Sequence, residues 1–254
     1  MVTMNKCDTE EHTVDFTDGT PVKRVNTATY LGITCNHTAT QTPNLNSRLG
    51  KASEQFNKLH LFWRHTNITQ KMKLQFFKQI FHPMILYGLE YSTITQGMEQ
   101  KMDAWQANHL RRVLNIKVSM ISHETNASVL KKANDAPLSV HIYSRQLKYF
   151  GHVLRANTDT TEHTVCFDHA GNHANIRAKK RVGRPKYHWA PNLMDKLVNK
   201  YHLTQSAHLF TTPSSASLLR PFKDLALDRR SWARLVAAPT RAFIRKTDQT
   251  RRTQ

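Results

Sequence analysis

Four side chains able to bind a metal fall within HTVCFDHAGNH: His163, Cys166, His169 and His173. Their gaps of two, two and three residues resemble zinc-ligand spacing, since imidazole nitrogen and thiolate sulfur both suit that ion. Against this stand the single cysteine and the very tight loop that four such close ligands would need. The plainer reading is a polar loop with solvated histidines, in a chain that holds 15 of them.

A second constellation follows at once. Between His169 and Met194 come six cations, Arg177, Lys179, Lys180, Arg181, Arg184 and Lys186, and no acid. Neutralising phosphates with such a run releases counterions, so binding would be steeply salt-dependent. Gly183-Arg184-Pro185 resembles the core of an AT-hook, an extended segment that enters a narrow minor groove. Val182 stands where such hooks carry a second arginine. KKRVGRPK also matches a nuclear address.

Other reactive patterns are missing. The sequence has no Gly-rich phosphate loop, no Gly-x-Ser-x-Gly elbow and no His-Glu-x-x-His. Two-metal nucleotidyl transfer needs close carboxylates, yet no two aspartates are adjacent. Asp224 and Asp228 could share a helix face, but Arg229 and Arg230 beside them suggest surface pairing. An autonomous polymerase or nuclease is not expected, and neither is a cofactor. The formal charge of +19, from 37 Lys and Arg against 18 Asp and Glu, calls for a polyanion: nucleic acid first, an anionic membrane surface second. No apolar run approaches a membrane span or a signal peptide. Cys7, Cys35 and Cys166 are too few and too scattered for a disulfide framework, so a reducing intracellular setting, nuclear or cytoplasmic, is expected.

The elements that must position these groups are mostly helical. Alternation around Val14 and Phe16, the Asp18-Gly19 turn, Val22, Val25 and the run TYLGITC predict short strands over residues 13–35, with Pro21 placing one at an edge. From Asn44 the period changes. Leu45, Leu49, Ala52, Phe56, Leu59 and Trp63 make one apolar stripe. Thr69 can cap a second helix that Pro83 should interrupt. Met98 to Leu114 and residues 126–133 predict two more, and Pro137 opens a fifth with Val140, Tyr143, Leu147, Phe150 and Leu154 inward. Residues 156–186 read as irregular, 193–201 as helix, 204–217 as linker, and Ser231 begins a last short helix. Tyr30, Trp63, Trp105 and Trp232 are core candidates before they are stacking platforms.

Several short motifs also occur in a fixed order. Asp18-Gly19 precedes Tyr30-Leu31-Gly32, then come Lys71 opening a helix and Leu86-Tyr87-Gly88-Leu89-Glu90. After them follow Leu110-Arg111-Arg112-Val113-Leu114, Gly151-His152-Val153-Leu154-Arg155, Gly183-Arg184-Pro185 with Trp189, and Asp228-Arg229-Arg230-Ser231-Trp232. This succession, from about residue 15 to 235, resembles the C-terminal part of the reverse transcriptase of a non-LTR (LINE-type) retrotransposon.

The resemblance implies an end-of-palm β region over 1–40, a helical thumb-like domain over 41–155, a basic segment over 156–192 and a C-terminal helical region over 193–254. It implies that Tyr30, Leu31 and Gly32 lie near the primer grip, and that the Tyr/Phe-Ala-Asp-Asp catalytic pair, with its Mg²⁺, lies upstream of this chain. RNA, an RNA/DNA hybrid or DNA is then the expected partner, besides the rest of the polymerase. The contacts expected to phosphate are Lys71, Lys73, Arg111, Arg112, Arg155, Lys180, Arg181, Arg184 and Lys186. The rival readings are a stand-alone nuclear DNA-binding protein using the hook-like segment, a zinc module at 163–173, and a decayed remnant.

Overall fold

A computed structural model describes residues 17–21, 25–36, 40–65, 67–167, 189–196 and 222–252. The fold is mainly helical, with a two-stranded hairpin ahead of the helices. Strands β1 (Thr27–Tyr30) and β2 (Ile33–Asn36) are antiparallel, with Tyr30 opposite Ile33. Leu31 and Gly32 between them have φ of 48° and 76°. Two left-handed residues match the twist of a two-residue hairpin. Tyr-Leu-Gly is therefore a turn, and the single strand expected through TYLGITC is instead split by it. Asp18-Gly19 does turn, with Gly19 at φ 82°. The strand residues Val14, Phe16 and Val22 lie outside the described residues.

Helix α1 (Thr42–Lys58) buries Leu45, Leu49, Ala52 and Phe56 as its stripe predicts. It ends sooner than expected. Leu59 leaves helical geometry, and a separate α2 (His60–Arg64) follows. Aromatic packing accounts for the break. On a straight helix Trp63 would lie about 10 Å along the axis from Phe56. After the break its ring stacks on Phe56 at 4.8 Å, and its Nε1 donates to the Phe56 carbonyl at 3.0 Å.

Thr69 caps α3 (Gln70–Leu86), its hydroxyl accepting from the Met72 amide at 3.3 Å. Pro83 does not interrupt this helix. Pro83 and Gln79 are both exposed, so the Gln79 carbonyl that Pro83 leaves without a donor faces water. Helix α4 (Gln96–Val113), capped by Thr95, and α6 (Asn126–Lys132) fall where expected, with a short α5 (Ser119–Ser122) that no periodicity announced. Pro137 leads into α7 (Leu138–Arg155). Phe56, Phe77, Phe81, Ile85, Met102 and Leu110, each fully buried, centre a first core to which α7 contributes Leu138 and Ile142.

The other half of α7 builds a second core. Tyr143, Leu147, Phe150, Val153 and Leu154 meet Phe167, Leu193, Phe222, Ala226 and Trp232. These come from α8 (Thr161–Cys166) and the residue after it, α9 (Trp189–Asp195), α10 (222–227) and α11 (Arg229–Arg252). Three expectations change here. The segment from 156, read as irregular, contains α8. The helix placed at 193–201 starts at Trp189. The last helix is 24 residues long, not short. Residues 197–201 and the linker 204–217 lie outside the described residues. Trp63, Trp105 and Trp232 are buried as expected, whereas Tyr30 is 70% exposed because it closes a surface turn.

The long α11 docks through one contact. The Trp232 indole lies against Gly151 of α7, where a Cβ has no room, and its Nε1 donates to the Leu147 carbonyl at 3.0 Å. Asp228 opens α11 by accepting from the Arg230 amide at 3.0 Å and from the Ser231 hydroxyl. This carboxylate is a helix cap.

Candidate nucleic-acid interface

Helices α2, α3 and α4 bring cations together beside the first core. Arg64 ends α2, and Arg111 and Arg112 end α4, where exposed carbonyls leave partial negative charge that cations complement. With Lys73 from the first turn of α3 they line an open cleft of about 560 Å³. His60 and His65 share its wall, and among the described residues no acidic side chain does.

Three of these cations are each held differently. Lys73 donates to the Trp63 carbonyl at 2.7 Å. Arg112, exposed, lies 4.7 Å over the Phe56 ring and donates from Nη1 to Asn57 Oδ1 at 3.0 Å. Stacking orders a side chain that otherwise loses much rotamer freedom on binding. Arg111 is buried. Its Nη2 donates to the Glu124 carbonyl at 2.7 Å and to Asn126 Oδ1 at 3.0 Å, while its Nη1 has no hydrogen-bond partner. The nearby Glu124 carboxylate is occupied by Lys132 at 2.6 Å and by Ser128. An anionic oxygen entering the cleft thus meets fixed positive charge with little competition.

His109 supports this floor. Its ring stacks on Trp105 at 3.9 Å and packs edge-on against Phe56 at 4.6 Å. Nδ1 lies 2.8 Å from the Trp105 carbonyl, which can only accept, so Nδ1 carries the proton. Burial, and secondarily the Arg112 charge, hold the imidazole below its ordinary pKa.

The other residues expected at a site are spread elsewhere. Tyr30, Leu31 and Gly32 form an exposed turn held from below. Arg48 Nη2 donates to the Gly32 carbonyl at 2.9 Å, and the Tyr87 hydroxyl donates to the Leu31 carbonyl at 3.2 Å. Lys71 is exposed on α3 but does not line the cleft. Arg155 donates to the Ala226 carbonyl at 3.0 Å. It lines a second basic cleft, about 650 Å³, with Lys148, His152, Arg229 and the apolar side chains of Trp232, Ala233 and Val236. Lys180, Arg181, Arg184 and Lys186 lie outside the described residues, as do His169 and His173. His163 is buried against Phe167, ring to ring at 5.3 Å, and burial pushes its pKa down and that of the Cys166 thiol up. These two side chains pack the second core. Arg64 was missed from the sequence, although a cation directly after the inward Trp63 was a usable signal.

The ordered motifs meet one another in space. Ile33, just after Tyr-Leu-Gly, packs on Gly88 of Leu-Tyr-Gly-Leu-Glu, where a Cβ would stand 2.9 Å from Ile33 Cγ1. Gly88 needs its freedom twice over, because its φ is 73°. Glu90 of the same motif pairs with Arg145 at 2.9 Å, and its carbonyl accepts from Trp189 Nε1 at 3.1 Å. Gly151 receives Trp232. Among the described residues, four of the motifs and Trp189 thus make such contacts. Neither protein-family models, nor curated proteins, nor solved structures gave a match to the chain. No helix among the described residues is long and apolar enough to cross a membrane.

Proposed function

We propose that the chain is the C-terminal part, comprising the end of the palm, the thumb and the C-terminal region, of a non-LTR retrotransposon reverse transcriptase, working in the nucleus or cytoplasm. Its task is to hold RNA, an RNA/DNA hybrid or DNA by phosphate contacts, with the remainder of the polymerase as a protein partner. One observation carries the reading: Arg64, Lys73, Arg111 and Arg112 line an open cleft to which no acidic side chain among the described residues contributes. A groove of fixed cations follows a phosphate backbone without reading bases, which suits an element that must release and regrip every sequence in turn.

Catalysis is assigned to the palm, whose paired aspartates would hold Mg²⁺, and not to these residues. Purified chain with primer–template, Mg²⁺ and nucleotides should therefore incorporate nothing above background.

Binding of an RNA/DNA hybrid measured across a salt series tests the reading. Changing Arg64→Ala and Arg112→Ala together should lower the log–log salt slope by about two units, one per phosphate contact. The loss should be equal for all sequences. An unchanged slope would overturn the proposal. A loss confined to Arg184→Ala and to A·T-rich duplex would replace it with the hook reading.

A further inference from the structure

His82, Asp135 and His141 converge from three elements: the last turns of α3, the loop before α7, and the first turn of α7. Their ligand-type atoms all lie within 4.8 Å of one another. His141 Nε2 is 2.9 Å from Asp135 Oδ1, and His82 Nε2 is 3.1 Å from Oδ2. The two imidazoles stand 4.7 Å apart, centre to centre.

Three features distinguish this cluster from ordinary surface pairing. The first is burial: the Asp135 side chain is 4% exposed and that of His82 13%. The second is rigidity of the carboxylate. Oδ1 accepts the Ala136 amide at 2.9 Å, and Oδ2 accepts Gln106 Nε2 at 3.1 Å. Gln106 is itself fixed, because its Oε1 accepts the Leu138 amide at 2.9 Å. Outer-shell bonds of this kind orient a metal ligand and hold its charge in place. The third is His82 Nε2, which is buried and, despite its closeness to Oδ2, makes no aligned hydrogen bond. A nitrogen so placed has a lone pair for a metal or a proton without a proper acceptor.

We propose that His82, Asp135 and His141 bind one borderline divalent transition cation, Zn²⁺ in the first instance. Two imidazole nitrogens and one carboxylate oxygen are a ligand set for such an ion, whereas Mg²⁺ and Ca²⁺ prefer oxygen throughout. His141, at 26% exposed, opens the cluster to solvent, so water completes a fourfold shell. The ion ties the end of α3 to the start of α7, which is the helix shared by both cores. Lys78, whose ammonium donates to the Asn134 carbonyl at 2.6 Å, is the nearby charge that opposes the cation. Replacing it with methionine should tighten binding.

The test uses the full chain with ZnCl₂ and CoCl₂. One equivalent of Co²⁺ should give the comparatively intense visible d–d bands of a nitrogen–oxygen tetrahedral site with no thiolate charge-transfer band. His141→Gln and His82→Gln should each weaken Zn²⁺ binding about tenfold or more, while His163→Gln with Cys166→Ser leaves it unchanged. X-ray absorption of the Zn²⁺-loaded unmodified chain should show imidazole and no sulfur, a result independent of whether any variant folds. Sulfur in that shell, failure of the unmodified chain to bind Zn²⁺ at micromolar concentration, or full binding by both glutamine variants would overturn the proposal.

Discussion

Each core has a basic cleft beside it, and the two clefts are built differently. Beside the first, Arg112 is stacked on Phe56 and Lys73 is tethered to a carbonyl, so the cations are held before any ligand arrives. Beside the second, the cleft at Arg155 mixes Lys148 and Arg229 with Trp232, Ala233 and Val236, and Arg155 spends a donor on the Ala226 carbonyl. Lys73 and Arg155 are each tethered to a backbone carbonyl; what separates the two clefts is the stacking of Arg112 on Phe56, which orders its guanidinium and lowers the conformational cost of binding. The same aromatic cluster that fills the first core is the platform for its arginine.

That comparison can be broken most severely at Phe56, which touches Trp63, Phe77, Phe81 and His109. Phe56→Ala should cost about 3–5 kcal/mol, read as a denaturation midpoint shift, and should remove nucleic-acid binding with it. Gly151→Ala attacks the second core alone. Forcing the Trp232 indole off α7 should cost about 1–3 kcal/mol while binding of a hybrid survives in the folded fraction. Equal loss of binding in both variants would erase the distinction drawn between the cores.

A smaller effect concerns acid. His109 has a folded pKa below its unfolded value, so the unfolded chain takes up a proton that the folded chain resists. Stability should be level above about pH 6.5 and decline as pH falls below it. A chemical-denaturation series in wild type and His109→Phe should show part of that slope vanish in the variant. Smaller still in stability is Arg112→Ala, within about 1 kcal/mol at an exposed position, yet it should lower the salt slope by about one unit. Least of all, Lys71→Ala should alter neither melting temperature nor salt slope, since Lys71 is exposed and outside the cleft.

The first core was the more legible of the two. Its helices α1, α3 and α4 each repeat an apolar residue every turn, and Thr69 announces the start of α3. The errors there were local: Trp63 folding back across a break at Leu59, and Pro83 tolerated on an exposed face. The second core draws Phe167, Leu193, Phe222 and Trp232 from short or widely separated elements, and no single stripe reveals such an assembly. The site was legible in part. Arg111 and Arg112 stood out within the ordered Leu110-Arg111-Arg112-Val113-Leu114 motif, but only the fold shows Arg111 buried and pinning the loop at Glu124. His82 and His141 lie 59 positions apart with nothing in their spacing to connect them, whereas the conspicuous His163 and Cys166 turn out to pack the second core.

Photo-cross-linking of a thiouridine-bearing RNA/DNA hybrid to the full chain, with the attached peptides identified by mass spectrometry, tests the central claim most directly. Cross-links should fall on residues 56–73 and 111–116, the walls of the acid-free cleft. Attachment only to residues 177–189, or none at low ionic strength, would contradict it.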